Sequence, residues 1–114
     1  MLPQINRLKN KKDFERVFKQ GKGYRGDFLF CKLIINKSKR SRFGIVVTEK
    51  VSKKAVIRNR IKRRLREILR LNLPKIKQGI DVVIVACSGI ENKNFWEIER
   101  DINKIFIEAD VYKS

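Results

Sequence analysis

Histidine is absent from the sequence, and cysteine occurs only twice, at Cys31 and Cys87. Histidine is the side chain that most often transfers protons near neutral pH, and together with cysteine it supplies most protein ligands for zinc. Two cysteines so far apart match neither a zinc-site spacing nor a disulfide framework. These absences exclude zinc enzymes, histidine-dependent nucleases and small secreted folds held by disulfides. We expect both cysteines to be buried free thiols in a reducing compartment.

Acidic residues are scarce as well: 12 Asp and Glu stand against 29 Lys and Arg, which gives a net charge of +17. Metal-dependent RNA cleavage needs a cluster of carboxylates that holds two metal ions. The closest groups here, Asp13 with Glu15 and Glu97 with Glu99 and Asp101, are spaced as exposed positions on helices. The sequence therefore predicts no catalytic residue and no protein metal site, and its positive charge predicts a polyanionic partner.

Long hydrophobic stretches are also missing. No run approaches the roughly 18 apolar residues that a membrane-spanning helix needs, and the start of the chain, MLPQINRLKN, lacks the apolar centre of a signal peptide. We therefore expect a cytoplasmic protein with no membrane partner. Hydrophobic residues still make up 42% of the 114 residues. That share is enough for one core, so residues 1–114 are predicted to form a single domain.

The first half of the chain predicts a helix followed by two strands. Apolar residues recur with helical spacing over Lys11–Gln20, and Gly21 is placed to end that helix. Phe28–Ile35 is apolar on both faces, which is typical of a central strand, and Phe43–Thr48 is a second strand-like run. The short polar connection between the two predicts an antiparallel hairpin. A further short strand around Gly23–Arg25 stays open.

The second half predicts helix, strand, helix. A 3.6-residue apolar period runs from Ser52, the expected N-cap, to about Leu71, and Pro74 limits its continuation. Asp81–Cys87 reads as a strand covered on both faces. Asn92 or Asn94 is placed to cap a final helix, so the whole order is typical of a single α+β layer sandwich. The inward stripe of the final helix is predicted to contain Phe95, Ile98, Ile102, Ile105 and Phe106, with Trp96 beside it.

The second helix carries most of the positive charge. Ten basic residues and one acid, Glu67, lie between Lys50 and Arg70. An ordinary solvated face mixes charges of both signs, whereas these like charges repel one another unless an anion neutralises them. Arginine also grips phosphate with two parallel N–H donors and stacks on bases. The pattern thus favours phosphate binding over a merely solvated face. Opposite the apolar stripe of this helix lie Asn59, Lys62, Arg63, Arg66 and Arg70, with Arg60 and Arg64 on one flank and Arg58 on the other.

The first helix offers an aromatic surface instead. Phe14 and Phe18 lie four residues apart, so their side chains share one face. Two interpretations stay open. The rings are part of the core, or they form a stacking platform for unpaired bases, flanked by Lys11, Lys12 and Lys19.

Two stretches carry a resemblance to a known family. The run AVIRNRIKRRLRE over residues 55–67, together with RLKNKKDFERVFKQG over 7–21, strongly resembles the bacterial ribonuclease P protein component. Chain length, element order and basic character are similar too, so the resemblance covers nearly the whole chain. It implies the two-layer α-β sandwich shared with the second domain of ribosomal protein S5, including a left-handed β-α-β crossover.

The resemblance also implies a function. The protein is expected to assist a catalytic RNA in removing 5′ leaders from precursor tRNA, an endonucleolytic hydrolysis that uses magnesium ions bound mainly through the RNA, with no organic cofactor. Its partners are then the catalytic RNA subunit and the precursor tRNA. Sulfate or phosphate is expected to stabilise the free protein, because +17 in so small a domain is self-repulsive.

Site residues follow from the resemblance by matching position. The expected RNA-docking surface on the second helix comprises Arg58, Asn59, Arg60, Lys62, Arg63 and Arg66. The expected leader-binding cleft, between the first helix and the sheet, comprises Phe14, Phe18, Leu29 and Cys31.

Three other functions compete with this one. A structural or ribosomal RNA-binding protein shares the charge, the size and the sandwich, but has no need of an aromatic cleft. A DNA-binding regulator would place the basic helix in a major groove, yet the chain shows no helix-turn-helix spacing and no heptad seam. A membrane-surface helix would bind anionic vesicles as well as it binds RNA.

Overall fold

Residues 2–114, which the computed structural model describes, form one four-stranded sheet and three α-helices. The predicted order of elements is confirmed, and the short strand left open by the sequence is present as β1. The bounds are α1 Lys11–Gln20, β1 Lys22–Arg25, β2 Leu29–Ile35, β3 Arg42–Val46, α2 Ala55–Asn72, β4 Ile80–Ala86 and α3 Phe95–Glu108, with 3-10 turns at Gln4–Asn6, Leu73–Lys75 and Ile90–Asn92.

The strand order in the sheet is β1-β2-β4-β3. Strand β4 pairs antiparallel with β2 and parallel with β3, so the predicted hairpin between β2 and β3 is wrong. The true hairpin joins β1 to β2. The physical reason lies in β4, which is almost wholly buried and therefore takes the position with a neighbour on either side.

The parallel pair β3 and β4 is joined through α2, which gives the β-α-β crossover that the resemblance implies; its left-handed sense stays a prediction. Helix α2 begins at Ala55 with Lys54 as N-cap, so the expected N-cap at Ser52 is wrong. The Ser52 hydroxyl instead accepts a hydrogen bond from the backbone N–H of Lys54 (3.2 Å), in a turn before the helix. The helix ends at Asn72, next to the 3-10 turn that contains Pro74.

The two faces of the sheet bury two separate hydrophobic clusters. Alternate residues of β4 point to opposite faces, and Val82 and Ile84 join the main core beneath α2 and α3. Val83 belongs to a smaller cluster with Leu8 and Val17, beneath α1. The α-β sandwich is thus formed by α2 and α3 on one face, while the short α1 covers part of the other and leaves a cleft beside it.

Helix α3 begins with a capping box. The Asn94 side chain accepts from the N–H of Glu97, and the Glu97 side chain accepts from the N–H of Asn94, which confirms Asn94 as the cap. Asp101 on this helix was expected to be exposed, and that prediction is wrong. Its carboxylate is buried and accepts the backbone N–H groups of Asp27 (2.6 Å) and Phe28 (2.8 Å). Asp101 therefore fixes the β1–β2 turn to α3.

Buried Asp81 ties α1 to the sheet. Its carboxylate accepts hydrogen bonds from Arg16 on α1 (2.6 Å), from Asn36 (2.8 Å), and from two nitrogens of Arg42 on β3 (3.0 and 2.8 Å). The hydrogen bond to Asp81 raises the pKa of Arg42 above its ordinary value. Because Arg16 lies on α1, this network holds the helix in place over the sheet. None of the helices within residues 2–114 is long and apolar enough to cross a membrane.

Candidate nucleic-acid interface

The outer side of α2 presents an open cationic surface, which we call the α2 face. A shallow cavity of about 460 Å³ is lined by Val56, Asn59, Lys62, Arg63 and Arg66. None of the four polar side chains in that set forms a hydrogen bond or ion pair within the described part of the chain. Their position opposite the buried Ile and Leu stripe confirms the helical projection made from the sequence. The charges of Lys62, Arg63 and Arg66 are therefore free to meet an anion.

The flanking arginines of α2 brace neighbouring loops. Arg58 donates to the carbonyl oxygen of Ser52 (2.9 Å), and Arg64 donates to that of Lys93 (2.9 Å). Arg60 makes a long contact of 3.5 Å with the carbonyl of Glu91. A carbonyl group orients a guanidinium but does not neutralise it, so the flanks keep their positive charge. The structure thus divides the predicted docking residues into an open set and a braced pair, Arg58 and Arg60.

A second cavity, of about 310 Å³, joins the α2 face to α1. We call it the junction cavity, and Arg7, Lys9, Phe14, Gly44 and Arg66 are among the residues that line it. The pKa of Arg66 is lowered from its ordinary value, first by burial and then by the charge of Arg7. An anion bound between these two positive charges would offset their repulsion and so stabilise the folded protein.

Sequence reasoning missed Arg7 and Lys9 as site residues. The N–H of Leu8 donates to the carbonyl of Phe43 (2.9 Å), and this pairing lays the N-terminal segment along β3. The segment therefore reaches α2 through a long-range contact. Arg7 and Lys9 lie in a basic run of the sequence, which indicates a positively charged segment. Nothing in their spacing indicates that α2 is their neighbour.

The two phenylalanines of α1 turn out to have different environments. Phe14 is half-buried against the smaller cluster, and its ring lies so close to Gly44 that a Cβ atom there would overlap it. Phe18 is 38% exposed. Each residue therefore matches one of the two interpretations left open by the sequence. Phe14 is partly core, and Phe18 is an open aromatic surface. Lys32 lies beside it and donates to the Phe18 carbonyl (3.0 Å).

The structure contradicts Leu29 and Cys31 as members of the cleft. Both side chains are buried in the main core, on the face of the sheet opposite α1. Alternation along β2 places Phe30 and Lys32 on the α1 side instead, paired with Val85 and Val83 of β4. Lys32 was the signal for this choice, because a charged side chain favours the less buried face and alternation puts Phe30 on that same face.

Burial of Cys31 has a consequence for pH. It raises the pKa of the Cys31 thiol to about 12, with smaller contributions from Asp101 and Cys87, whereas the ordinary value is 9.0. The stability that comes from the neutral thiol is fully present below pH 9.0 and is lost as the pH rises toward 12. We expect the free energy of unfolding to fall over this window, and to fall less in Cys31→Ala. Denaturant unfolding at a series of pH values checks this, and equal slopes for the two proteins would contradict it.

Comparison with known proteins identifies the family of the chain. The family model for ribonuclease P matches residues 2–110. The chain belongs to the ribonuclease P protein family. The ribonuclease P protein component of a Pseudanabaena strain is 40% identical over 112 residues, covering 97% of both chains. The solved structure of the Staphylococcus aureus RNase P protein has 27% identity and a TM-score of 0.87, covering 95% of this chain and 98% of that one. The RNase P protein from Thermotoga maritima has 33% identity and a TM-score of 0.78, covering 87% and 94%.

Membership in the ribonuclease P protein family confirms the resemblance seen in the sequence, and with it the S5-like α+β fold and the function. The protein is the protein component of a ribonucleoprotein endoribonuclease that processes the 5′ leader of tRNA. Its partners are an RNA subunit and a tRNA substrate. Family membership favours the ribonuclease P function over the DNA-binding and membrane-surface alternatives.

Proposed function

We propose that two surfaces of the protein divide the binding of RNA within ribonuclease P. The α2 face, with Arg58 and Arg60 on its flanks, docks on the RNA subunit. The cleft between α1 and the sheet holds the 5′ leader of precursor tRNA. The observation that carries this proposal is the junction cavity, where Arg66 of the α2 face and Phe14 of the cleft line one space. A leader in the cleft would thus lie beside the docked RNA subunit.

The chemistry of the cleft suits a leader of no fixed sequence. Phe18 is open to solvent, and Phe30 and Lys32 lie on the same side of the sheet. Stacking of a base on an aromatic ring contributes about 1–3 kcal/mol and tolerates any base, since every base has a π-face. Lysine and arginine around the rings would hold the phosphates and offset repulsion between two RNA molecules. The cleft therefore favours leader binding over a purely structural role.

Magnesium chemistry is proposed to belong to the RNA. No group of three or more His, Cys, Asp or Glu side chains within residues 2–114 is placed to hold a metal ion. The two buried carboxylates, Asp81 and Asp101, are already engaged by arginines, an asparagine and backbone N–H groups. When bound to the RNA, magnesium would activate the attacking water and stabilise the leaving oxygen. The protein's own part is to bind, to orient and to neutralise charge.

Phe18→Ala tests the leader cleft. Phe18 is partly exposed, so its removal should leave the fold intact and remove one stacking surface. We expect the holoenzyme to bind precursor tRNA with a long leader about tenfold more weakly, and to bind one with a single-nucleotide leader unchanged. Trp96→Ala is the matched control, because Trp96 is 68% exposed but lies on α3, across the sheet from α1. Equal losses for both leader lengths would argue against a leader cleft.

The free protein is proposed to bind sulfate or phosphate in the junction cavity. Arg7 and Arg66 both line this cavity, so an anion bound there would offset the repulsion between their charges. Sulfate at about ten times its dissociation constant should raise Tm by about 5 °C or more, because it binds the folded state. Sodium chloride of equal ionic strength separates binding from screening. A Tm that responds equally to both salts, or to neither, would contradict the site. We also propose a cytoplasmic location, because thiols stay reduced in that compartment. Cys31 and Cys87 are both free, although Cys87 is only partly buried and not fully buried as the sequence predicts.

A further inference from the structure

A third cavity lies at the C-terminal end of α2, and the proposed function does not use it. We call it the terminal cavity. Its volume is about 420 Å³, within the range of about 300–1,000 Å³ that small-molecule sites occupy. The N-terminal 3-10 turn, the β2–β3 connection, the end of α2 and the segment before β4 all contribute to it. Its apolar surface comes from Ile5, Leu73, Pro74 and Ile76.

The charged residues around the terminal cavity are all basic. No Asp or Glu is among the residues that line it. Arg70 and Lys77 at its rim are paired with Glu67 and Asp110 outside it. Lys39, Arg40 and Lys113 have no carboxylate partner within residues 2–114. An apolar floor beneath unpaired cations is suited to a flat apolar group that carries phosphate.

Asn6 supplies a polar group without a partner in the cavity wall. The residue is 8% exposed, and its Nδ2 donates to the carbonyl of Ser41 (2.7 Å). Its Oδ1 has no hydrogen-bond donor within the described residues. This oxygen is reached by solvent in the cavity, so it is an open acceptor for an N–H donor on a ligand.

Hydrogen bonds between distant segments hold the walls of the cavity in place. The Ser41 hydroxyl donates to the carbonyl of Lys77 and accepts from the N–H of Ile80 (3.3 Å). The N–H of Lys113 donates to the carbonyl of Lys75 (2.7 Å). Because the walls are already ordered, binding of a ligand would cost little additional conformational entropy.

We propose that the terminal cavity takes one unpaired nucleotide of the RNA subunit. Its base lies on the apolar floor and donates an N–H to Asn6 Oδ1, while Lys39, Arg40 and Lys113 hold the flanking phosphates. This inference rests on the proposed docking of α2 on RNA. Arg63, Arg66 and Arg70 follow at helical spacings of three and four residues, so the cationic stripe of α2 leads to the cavity rim.

Ile5→Glu tests the cavity directly. Ile5 is 54% exposed at the cavity, so an acid there should repel the nucleotide without disturbing the core. We expect affinity for a bacterial ribonuclease P RNA to fall about tenfold or more. Ile107→Glu is the matched control, because Ile107 is 70% exposed on α3 and makes the same change of charge. It should bind like the unaltered protein.

A second measurement locates the contact. A photoreactive group attached at Ile5→Cys, in a Cys87→Ser background, should cross-link to a small set of unpaired nucleotides, whereas the same group at Ile107→Cys should not. Equal affinity of Ile5→Glu and Ile107→Glu would overturn the terminal cavity while leaving the α2 face intact, provided that charge reversal on the α2 face weakens binding. Saturable binding of free adenosine monophosphate that RNA does not displace would also overturn it. Failure of the unaltered protein to bind the RNA would overturn both proposals.

Discussion

Reversing the charge of Lys62 and Arg63 should abolish most of the affinity for the RNA subunit. Both side chains lie on the α2 face and make no bond within residues 2–114, so Lys62→Glu/Arg63→Glu should fold normally. Each phosphate contact contributes roughly 0.7–0.9 to the slope of log affinity against log salt concentration. Two reversals replace attraction by repulsion, and we expect affinity at low salt to fall by about 100-fold or more. The salt slope should flatten by about 1.5.

The control for this experiment changes the net charge equally at other places. Lys22→Glu/Arg100→Glu alters two exposed cations, on β1 and α3, away from the α2 face. We expect it to lower affinity only a few-fold, through the overall field of the protein. Filter binding or fluorescence anisotropy at several salt concentrations measures both quantities. Equal losses in the two double variants would show that net charge binds the RNA and that the α2 face has no special part.

Removing the carboxylate of Asp81 should strongly lower the free energy of unfolding. Asp81 is fully buried and joins α1, β3 and the β2–β3 connection through Arg16, Arg42 and Asn36. Breaking a buried ion pair costs about 3–5 kcal/mol, because the remaining charge is left without a partner. Arg16 and Arg42 are about one third exposed, so water recovers part of that cost. We expect Asp81→Ala to lose about 2–4 kcal/mol of unfolding free energy.

Asp27→Ala is the matched control for Asp81. Asp27 also pairs with a cation, Lys104 at 3.4 Å, but both side chains are well exposed. Such surface pairs contribute about 0–1 kcal/mol. Chemical denaturation of the two variants provides the comparison. A loss for Asp81→Ala no larger than that for Asp27→Ala would mean that the network does not hold α1 on the sheet.

Local features of the sequence predicted the elements well. The bounds of α1 agree with the prediction from amphipathic spacing and Gly21, and Asn94 caps α3 as its position indicated. Pairing between distant strands was not predictable in the same way. A short connection between β2 and β3 favours a hairpin locally, but the buried strand β4 separates them. Burial of β4 determines which strands pair, and β4 comes much later in the chain than β2 and β3.

The candidate site was predictable to the extent that it lies on one helix. Projection of α2 placed Asn59, Lys62, Arg63 and Arg66 together because helical geometry is regular. The cleft depends instead on which face of β2 meets the core, and within the mainly apolar strand Leu29–Ile35 the signal for that choice is a single residue, Lys32. The junction and terminal cavities depend on long-range packing of the N-terminal segment, which no local pattern in the sequence indicates.

Cleavage of precursor tRNA by a bacterial ribonuclease P RNA tests the central claim most directly. The reaction is run at low magnesium concentration, with and without this protein, on substrates with a long and a single-nucleotide 5′ leader. The two-surface account predicts that the protein stimulates cleavage, and that stimulation is about tenfold greater for the long leader. Tight binding to the RNA without stimulation of either substrate would contradict the account.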